Sequence, residues 1–121
     1  MSYSKYHAKK IRADGMTFDS RKEYARYREL KILQDAGKIS GLRRQVTYEL
    51  IPAQREPDAR GPRGGHRPGR LIERPCCYIA DFVYTQHGQT VVEDCKGYRT
   101  AEYKIKRKLM LWRHGIRILD T

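Results

Sequence analysis

The stretch from Cys76 to Lys96, CCYIADFVYTQHGQTVVEDCK, constrains the fold of this chain more than any other. Two runs rich in β-branched and aromatic residues read as strands. Gln86-His87-Gly88-Gln89 between them reads as a tight turn. With His87 and Gly88 as the two turn residues, Gln86 pairs with Gln89. The register that follows sets Asp81 opposite Asp94 and Ile79 opposite Lys96. Side chains alternate along a strand, so Asp94 and Lys96 share a face. Asp81, Asp94 and Lys96 are therefore expected to cluster, with Val83 and Val92 one step nearer the turn. Glu93 points to the other face of a regular strand, and a bulge would exchange it with Asp94.

Other elements arrange themselves around this hairpin. Ser20 and Glu23 have capping-box spacing, and Tyr27, Leu30 and Leu33 follow at helical intervals. Gly37 lies just beyond Ala36, so the spacing predicts a helix over 20–36. Glu23 begins the same stripe and leans toward whatever the helix packs on. QVTYELI, 45–51, reads as a strand closed by Pro52. Thr100 caps a second helix reaching about His114, with Gly115 as its stop. Ala101, Ile105, Leu109 and Trp112 form its apolar face, and Lys104, Arg107 and Lys108 lie on another. IRIL, 116–119, makes a short last strand. The order helix, strand, strand, strand, helix, strand predicts an α/β domain, a small mixed sheet with helices packed on it. Its 121 residues fit one domain.

Two segments do not read as core. Residues 1–18 are basic and polar, an arm with Asp14-Gly15 as a turn signal. From Arg60 to Arg70 every residue is Arg, Gly, Pro or His. Such a composition cannot bury enough apolar area to offset its ordering entropy, so 54–74 is expected to be a flexible basic insertion. Arg63 and Arg67 within it could track a nucleic-acid backbone; a tolerated surface loop reads equally well.

Charge narrows the class of partner. Lys and Arg number 26 against 14 Asp and Glu, a formal net charge of +12. A polyanion is the expected partner, with nucleic acid first. No apolar run approaches the ~20 residues of a membrane-crossing helix. MSYSKYHAKK carries no secretory core, and the odd cysteine count (Cys76, Cys77, Cys95) argues for reduced thiols. The expected location is the cytoplasm. His7, His66, His87 and His114 are scattered and form no zinc spacing.

Directly opposed carboxylates destabilise a strand pair. Lys96 can neutralise one of Asp81 and Asp94, and a divalent cation can neutralise the rest. Mg²⁺ suits a few carboxylates plus phosphate and water oxygens. Such an ion stabilises charge on a scissile phosphate, while a nearby lysine orients or activates the attacking water. The same spacing also suits a plain cross-strand salt bridge. Asp81, however, sits inside an apolar run, Tyr78-Ile79-Ala80 before it and Phe82-Val83-Tyr84 after it. A carboxylate there costs several kcal/mol unless paired or ligating, which tips the reading toward a metal site.

Asp81 followed by Asp94-Cys95-Lys96 resembles the PD-(D/E)xK nuclease superfamily, with Ala80 where the name has proline. The surrounding pattern FDSRKEYARYREL, YIADFVY and VVEDCKGYRTAEYKIKRKLM is similar to a small, mostly phage-encoded, resolvase-like group within it. The resemblance implies a restriction-endonuclease-like core and Mg²⁺-dependent cleavage of DNA, with Mn²⁺ as a substitute. It implies Asp81 and Asp94 as ligands, Lys96 as the catalytic base or water-orienting residue, and Glu23 as a further acid from the first helix. It sets Gln45 near the metal, and Tyr103 and Lys106 against phosphate or backbone, beside Lys104, Arg107 and Lys108. Branched DNA is the substrate it favours. RNA stands as an alternative substrate, and a non-catalytic nucleic-acid-binding module of the same fold as an alternative function. Dimerisation would serve an enzyme that cuts two strands, though no interface stripe stands out.

Overall fold

The computed structural model describes residues 9–95 and 99–121. Along the chain run β1 (Ile11–Ala13), β2 (Met16–Phe18), α1 (Arg21–Asp35), β3 (Ser40–Ile51), β4 (Gln54–Arg55), β5 (Ala59–Arg60), β6 (His66–Arg67), β7 (Leu71–Glu73), β8 (Cys76–Gln86), β9 (Gln89–Asp94), α2 (Ala101–His114) and β10 (Leu119–Asp120). The central sheet has the order β10-β9-β8-β3. β3, β8 and β9 are antiparallel neighbours, and β10 lies parallel to β9. The domain is thus mixed α/β, as expected.

Each helix covers one face of this sheet. Phe82, Tyr84 and Val91 pack with Leu30, Tyr27 and Leu33 of α1. Val83 and Val92, their immediate neighbours in sequence, pack with Tyr103 and Met110 of α2. Adjacent strand residues belong to opposite clusters because side chains alternate across the pleat. The expected stripe of α1 is the one observed. Ser20 is its N-cap, accepting the Glu23 N–H at 3.1 Å. The turn between β8 and β9 is also as expected. His87 and Gly88 both have positive φ, and Gln86 pairs with Gln89. That geometry matches the twist of a two-residue hairpin.

Alternation breaks at one rung. In β3, Leu42 faces α1 while Val46 and Leu50 face α2. In β8, Tyr78 and Ala80 face α2 while Phe82 and Tyr84 face α1. Each pair of residues within a strand has the same parity, so both strands invert between them. The rung in question lies between the pairs Arg44↔Phe82 and Val46↔Ala80, at Gln45 and Asp81. Gln45 has φ 52°, in the left-handed region that a non-glycine residue seldom enters.

Four expectations need correction. The third strand begins at Ser40, not Gln45. The last strand is Leu119–Asp120 rather than 116–119, because Ile118 turns into the α2-side core. Of the expected apolar face of α2, Leu109 packs against the core, while Ala101, Ile105 and Trp112 are exposed. Tyr103 and Met110 are buried, while Ile105 and Trp112 stay 60% and 80% exposed. Thr100 and Gly115 set the ends of α2 but not its rotation. The burial of Tyr103, whose hydroxyl donates to Asp120 Oδ1 at 2.6 Å, decides which of two apolar stripes turns inward.

The fourth correction concerns residues 54–74. They form a paired arm, with Gln54↔Glu73 at its base and Ala59↔Arg67 and Arg60↔His66 near its tip. Asp58 staples it, accepting from Gly69 N at 2.8 Å and contacting His66 Nε2 at 2.8 Å. A Cβ on Gly69 would sit 1.7 Å from the Glu56 carbonyl oxygen, so only glycine fits there. Local polar bonds join the two limbs of this arm, which has no apolar core among the described residues. Within the proposed N-terminal arm, Ile11–Phe18 pair as a hairpin turned at Asp14-Gly15, and Phe18 is fully buried. The rest of that segment, residues 1–8, lies outside the described residues. Cys76, Cys77 and Cys95 are free thiols.

Candidate metal centre

The first turn of α1 and the inverted rung meet at a cluster of acids. Glu23, 2% exposed, and Asp81, 4% exposed, form its floor. The exposed Asp19 lies at its mouth. One oxygen from each of the three carboxylates lies within 4.8 Å of the other two. Glu23 Oε2 accepts the Asp19 N–H at 3.0 Å, so the capping box closes on Asp19, one residue before the N-cap. The Gln45 side-chain amide donates to Glu23 Oε1 at 3.0 Å and to Asp81 Oδ1 at 3.4 Å. Asp81 Oδ2 accepts the Cys95 N–H at 2.8 Å, just where the ladder between β8 and β9 ends.

Among the described residues, one cation touches this cluster. Arg44 Nη2 reaches Glu23 Oε1 at 3.3 Å and the Thr17 carbonyl at 3.0 Å. Its guanidinium stacks 4.0 Å over the Phe18 ring, a cation–π contact. Its Nε is buried without a partner among the described residues. Among the described residues, three carboxylates there face one guanidinium. Burial raises the Glu23 pKa, and the Asp81 charge raises it further. The guanidinium lowers it without cancelling either effect. Oxygen donors of this kind and number fit a hard divalent cation. Carboxylate oxygens have lone pairs beyond those already engaged by Gln45, Arg44 and Cys95.

Asp94 is not one of this trio, contrary to the shared-face expectation. Its Oδ2 accepts the Tyr78 hydroxyl at 2.6 Å on the α2 side of the sheet. The register setting Asp81 opposite Asp94 continues the observed pairs, but the inversion at the Gln45 rung sends the two carboxylates to opposite faces. Glu93 is the acid that β9 presents toward α1. It is fully buried and held by Arg26, with Nε to Oε1 and Nη2 to Oε2, each at 2.8 Å. The Tyr84 hydroxyl and Thr121 Oγ1 also donate to it. Tyr84 is pushed up to about 12 by burial and by its bond to Glu93. The nearby Cys95 thiol is pushed up to about 11, chiefly by burial.

The remaining expected site residues scatter. Lys96 lies outside the described residues. Tyr103 is buried and bonded to Asp120, so its hydroxyl does not face a backbone outside the fold. Lys106 pairs with Glu102 at 3.1 Å. Lys104 and Lys108 are exposed on α2, and Arg107 is half-buried. Arg63 and Arg67 are exposed near the tip of the arm. Sequence reasoning missed Asp19, Arg44 and Arg26. Asp19 precedes an N-cap serine, where an acid is commonplace, and no local pattern marks Arg44 or Arg26. No helix among the described residues is long and apolar enough to cross a membrane.

The profile of the family described as "Protein of unknown function (DUF1064)" matches residues 3–117. No curated protein and no solved structure matches the chain.

Proposed function

The chain belongs to the DUF1064 family, and we propose that it is a metal-dependent nuclease with a restriction-endonuclease-like core. The observation that carries this reading is the meeting of Glu23 and Asp81, two buried carboxylates from separate elements, with Asp19 and the Gln45 amide. Burying two acids side by side is costly, and a divalent cation is the compensation their donor chemistry fits. Mg²⁺ or Mn²⁺ would be held by Glu23, Asp81 and Asp19. When bound, such an ion offsets the charge that develops on a phosphate and makes water a stronger nucleophile. Gln45 orients the Glu23 and Asp81 carboxylates through its amide. Asp81 also fixes the backbone at Cys95, the residue before Lys96. Lys96 is proposed to orient or activate the attacking water. The net charge of +12 supports DNA as the substrate, branched DNA by resemblance.

A specific observation favours a second reading. Glu93 is tied up by Arg26, and Asp94 lies on the Tyr78 side. A module that holds nucleic acid without cutting it would carry its acids in this way. One experiment separates the two. The protein is incubated with linear duplex, single-stranded, flapped and four-way DNA, and with RNA, in Mg²⁺, Mn²⁺ or EDTA. Cleavage in metal alone is expected, falling on the order of a hundredfold or more in Asp81→Ala, Glu23→Gln and Lys96→Ala. No cleavage of any substrate, or variants that cut as fast as the parent, sinks the catalytic reading. DNA binding retained by inactive samples then supports the binding module.

A further inference from the structure

Helix α2 turns an unexpected face outward. Ala101, Ile105, Lys108 and Trp112 follow one another at helical spacing along it. Ile105 is 60% exposed, Leu111 52% and Trp112 80%. Lys104 and Lys108 are exposed among them, and no acid interrupts these positions. Glu102, the nearest acid, is turned to Lys106. A large ring left in water near the end of a helix face that also carries lysines matches no need of the core, which Tyr103 and Met110 already fill.

Charge decides among occupants. A second copy meeting this stripe about a two-fold axis would set Lys108 beside its own equivalent, a like-charge contact without compensation. A polyanion meets the same lysines favourably. The pattern of aromatic ring and flanking cations is the one on which unpaired bases stack while their phosphates are neutralised. The helix end that carries Trp112 is also tied to the end of β3. Arg113 Nη1 donates to the Leu50 carbonyl at 3.2 Å, and His114 Nε2 contacts the Glu49 carbonyl at 2.7 Å. The arginine-rich arm leaves the sheet a few residues later, at Gln54. Arg113 at the end of α2 therefore lies close to the base of the arm.

We infer that the outward face of α2 is a stacking platform for an unpaired nucleotide, with Trp112 against the base and Lys104 and Lys108 on its phosphates. The inference rests on the reading of nucleic acid as the partner, but it concerns the sheet face opposite the acid cluster. It adds a preference for substrates with a single-stranded segment.

Trp112 is the only tryptophan in the chain, so its emission reports on this face alone. The protein is titrated in EDTA with a single-stranded oligothymidylate and with a blunt duplex of equal length. Labelled-oligonucleotide anisotropy is read in parallel. The single strand is expected to quench the tryptophan to saturation, and the duplex much less. By anisotropy, Trp112→Ala weakens single-strand binding roughly tenfold or more, while Trp112→Phe keeps most of it. Lys104→Gln with Lys108→Gln flattens the salt dependence by roughly 1.4 in log–log slope. The substituted side chains are exposed, so matched melting curves are expected and confirm folding. Binding without any change in emission, or an unaffected Trp112→Ala, overturns the platform. So does equal quenching by duplex, or no binding at low salt. Sedimentation that shows a dimer lost in Trp112→Ala gives the face to a second copy instead. Quenching that persists in a cleavage-dead Asp81→Ala, or in a protein that cuts nothing, leaves the platform standing apart from the nuclease reading.

Discussion

Both faces of the central sheet bury carboxylates, and they handle them differently. On the α2 side, Asp94 and the half-buried Asp120 accept short bonds from the Tyr78 and Tyr103 hydroxyls beside an apolar cluster, and Asp120 also pairs with Arg99 at 3.2 Å. On the α1 side, Glu93 is neutralised by a two-point contact with Arg26, while Glu23, Asp81 and Asp19 crowd together with, among the described residues, Arg44 against them. Phenols satisfy hydrogen bonds without altering charge, and both tyrosines are raised in pKa chiefly by burial. The α1 side instead gathers three carboxylates at one spot. A sheet can therefore tie down single carboxylates in some places and gather several at one spot in another, and a gathered set is where a ligand is sought first.

The sharpest way to break this comparison is at Glu93. If Arg26 is its counter-charge, Arg26→Met leaves a buried carboxylate unpaired and destabilises by about 3–5 kcal/mol in urea denaturation. Adding Glu93→Gln should recover a large part of that. A loss under about 1 kcal/mol would mean that Tyr84 and Thr121 suffice, and that the two faces differ less than stated.

Metal affinity separates the acids next. By calorimetry, Asp81→Ala is expected to weaken Mg²⁺ or Mn²⁺ binding roughly tenfold or more, and Asp94→Ala to change it only a few-fold. The reverse order would return Asp94 to the site. On the structural face, Tyr78→Phe removes the donor to buried Asp94 and should cost about 1–3 kcal/mol with metal affinity unchanged.

The smallest effect is a pH slope. The Glu23 pKa is raised by burial and by Asp81. A raised carboxylate contributes its stability at low pH and loses it as pH rises through the shifted value. In EDTA, Glu23→Gln should therefore gain on the parent in melting temperature as pH climbs from the ordinary carboxylate range toward 8. Saturating metal should reverse the ranking, since only the parent keeps its full ligand set. Parallel melting curves at every pH would show that Glu23 is not strained by its neighbours.

Much of the frame was legible in the residues. Ser20 and Gly115 mark helix ends through their capping chemistry, and His87-Gly88 sets the hairpin register because a two-residue loop admits few geometries. The lean of Glu23 toward the sheet follows from its place on the Leu30 stripe. Local rules suffice there, since each signal acts within a few residues.

Tertiary structure decided the rest. Alternation predicts a shared face for Asp81 and Asp94 only while a strand is regular. The left-handed Gln45 and its partner rung invert two strands together, and every side chain beyond changes face. No glycine or asparagine marks the spot, so nothing local announces it. The rotation of α2 was likewise chosen between two apolar stripes by what Tyr103 and Met110 could reach. Composition made the arm look structureless, yet Asp58 and the Gly69 contact order it through polar bonds that no count of apolar residues contains. The hairpin register was thus set by its own residues, while the face each acid occupies was set by a strand 36 residues away in the Gln45–Asp81 contact.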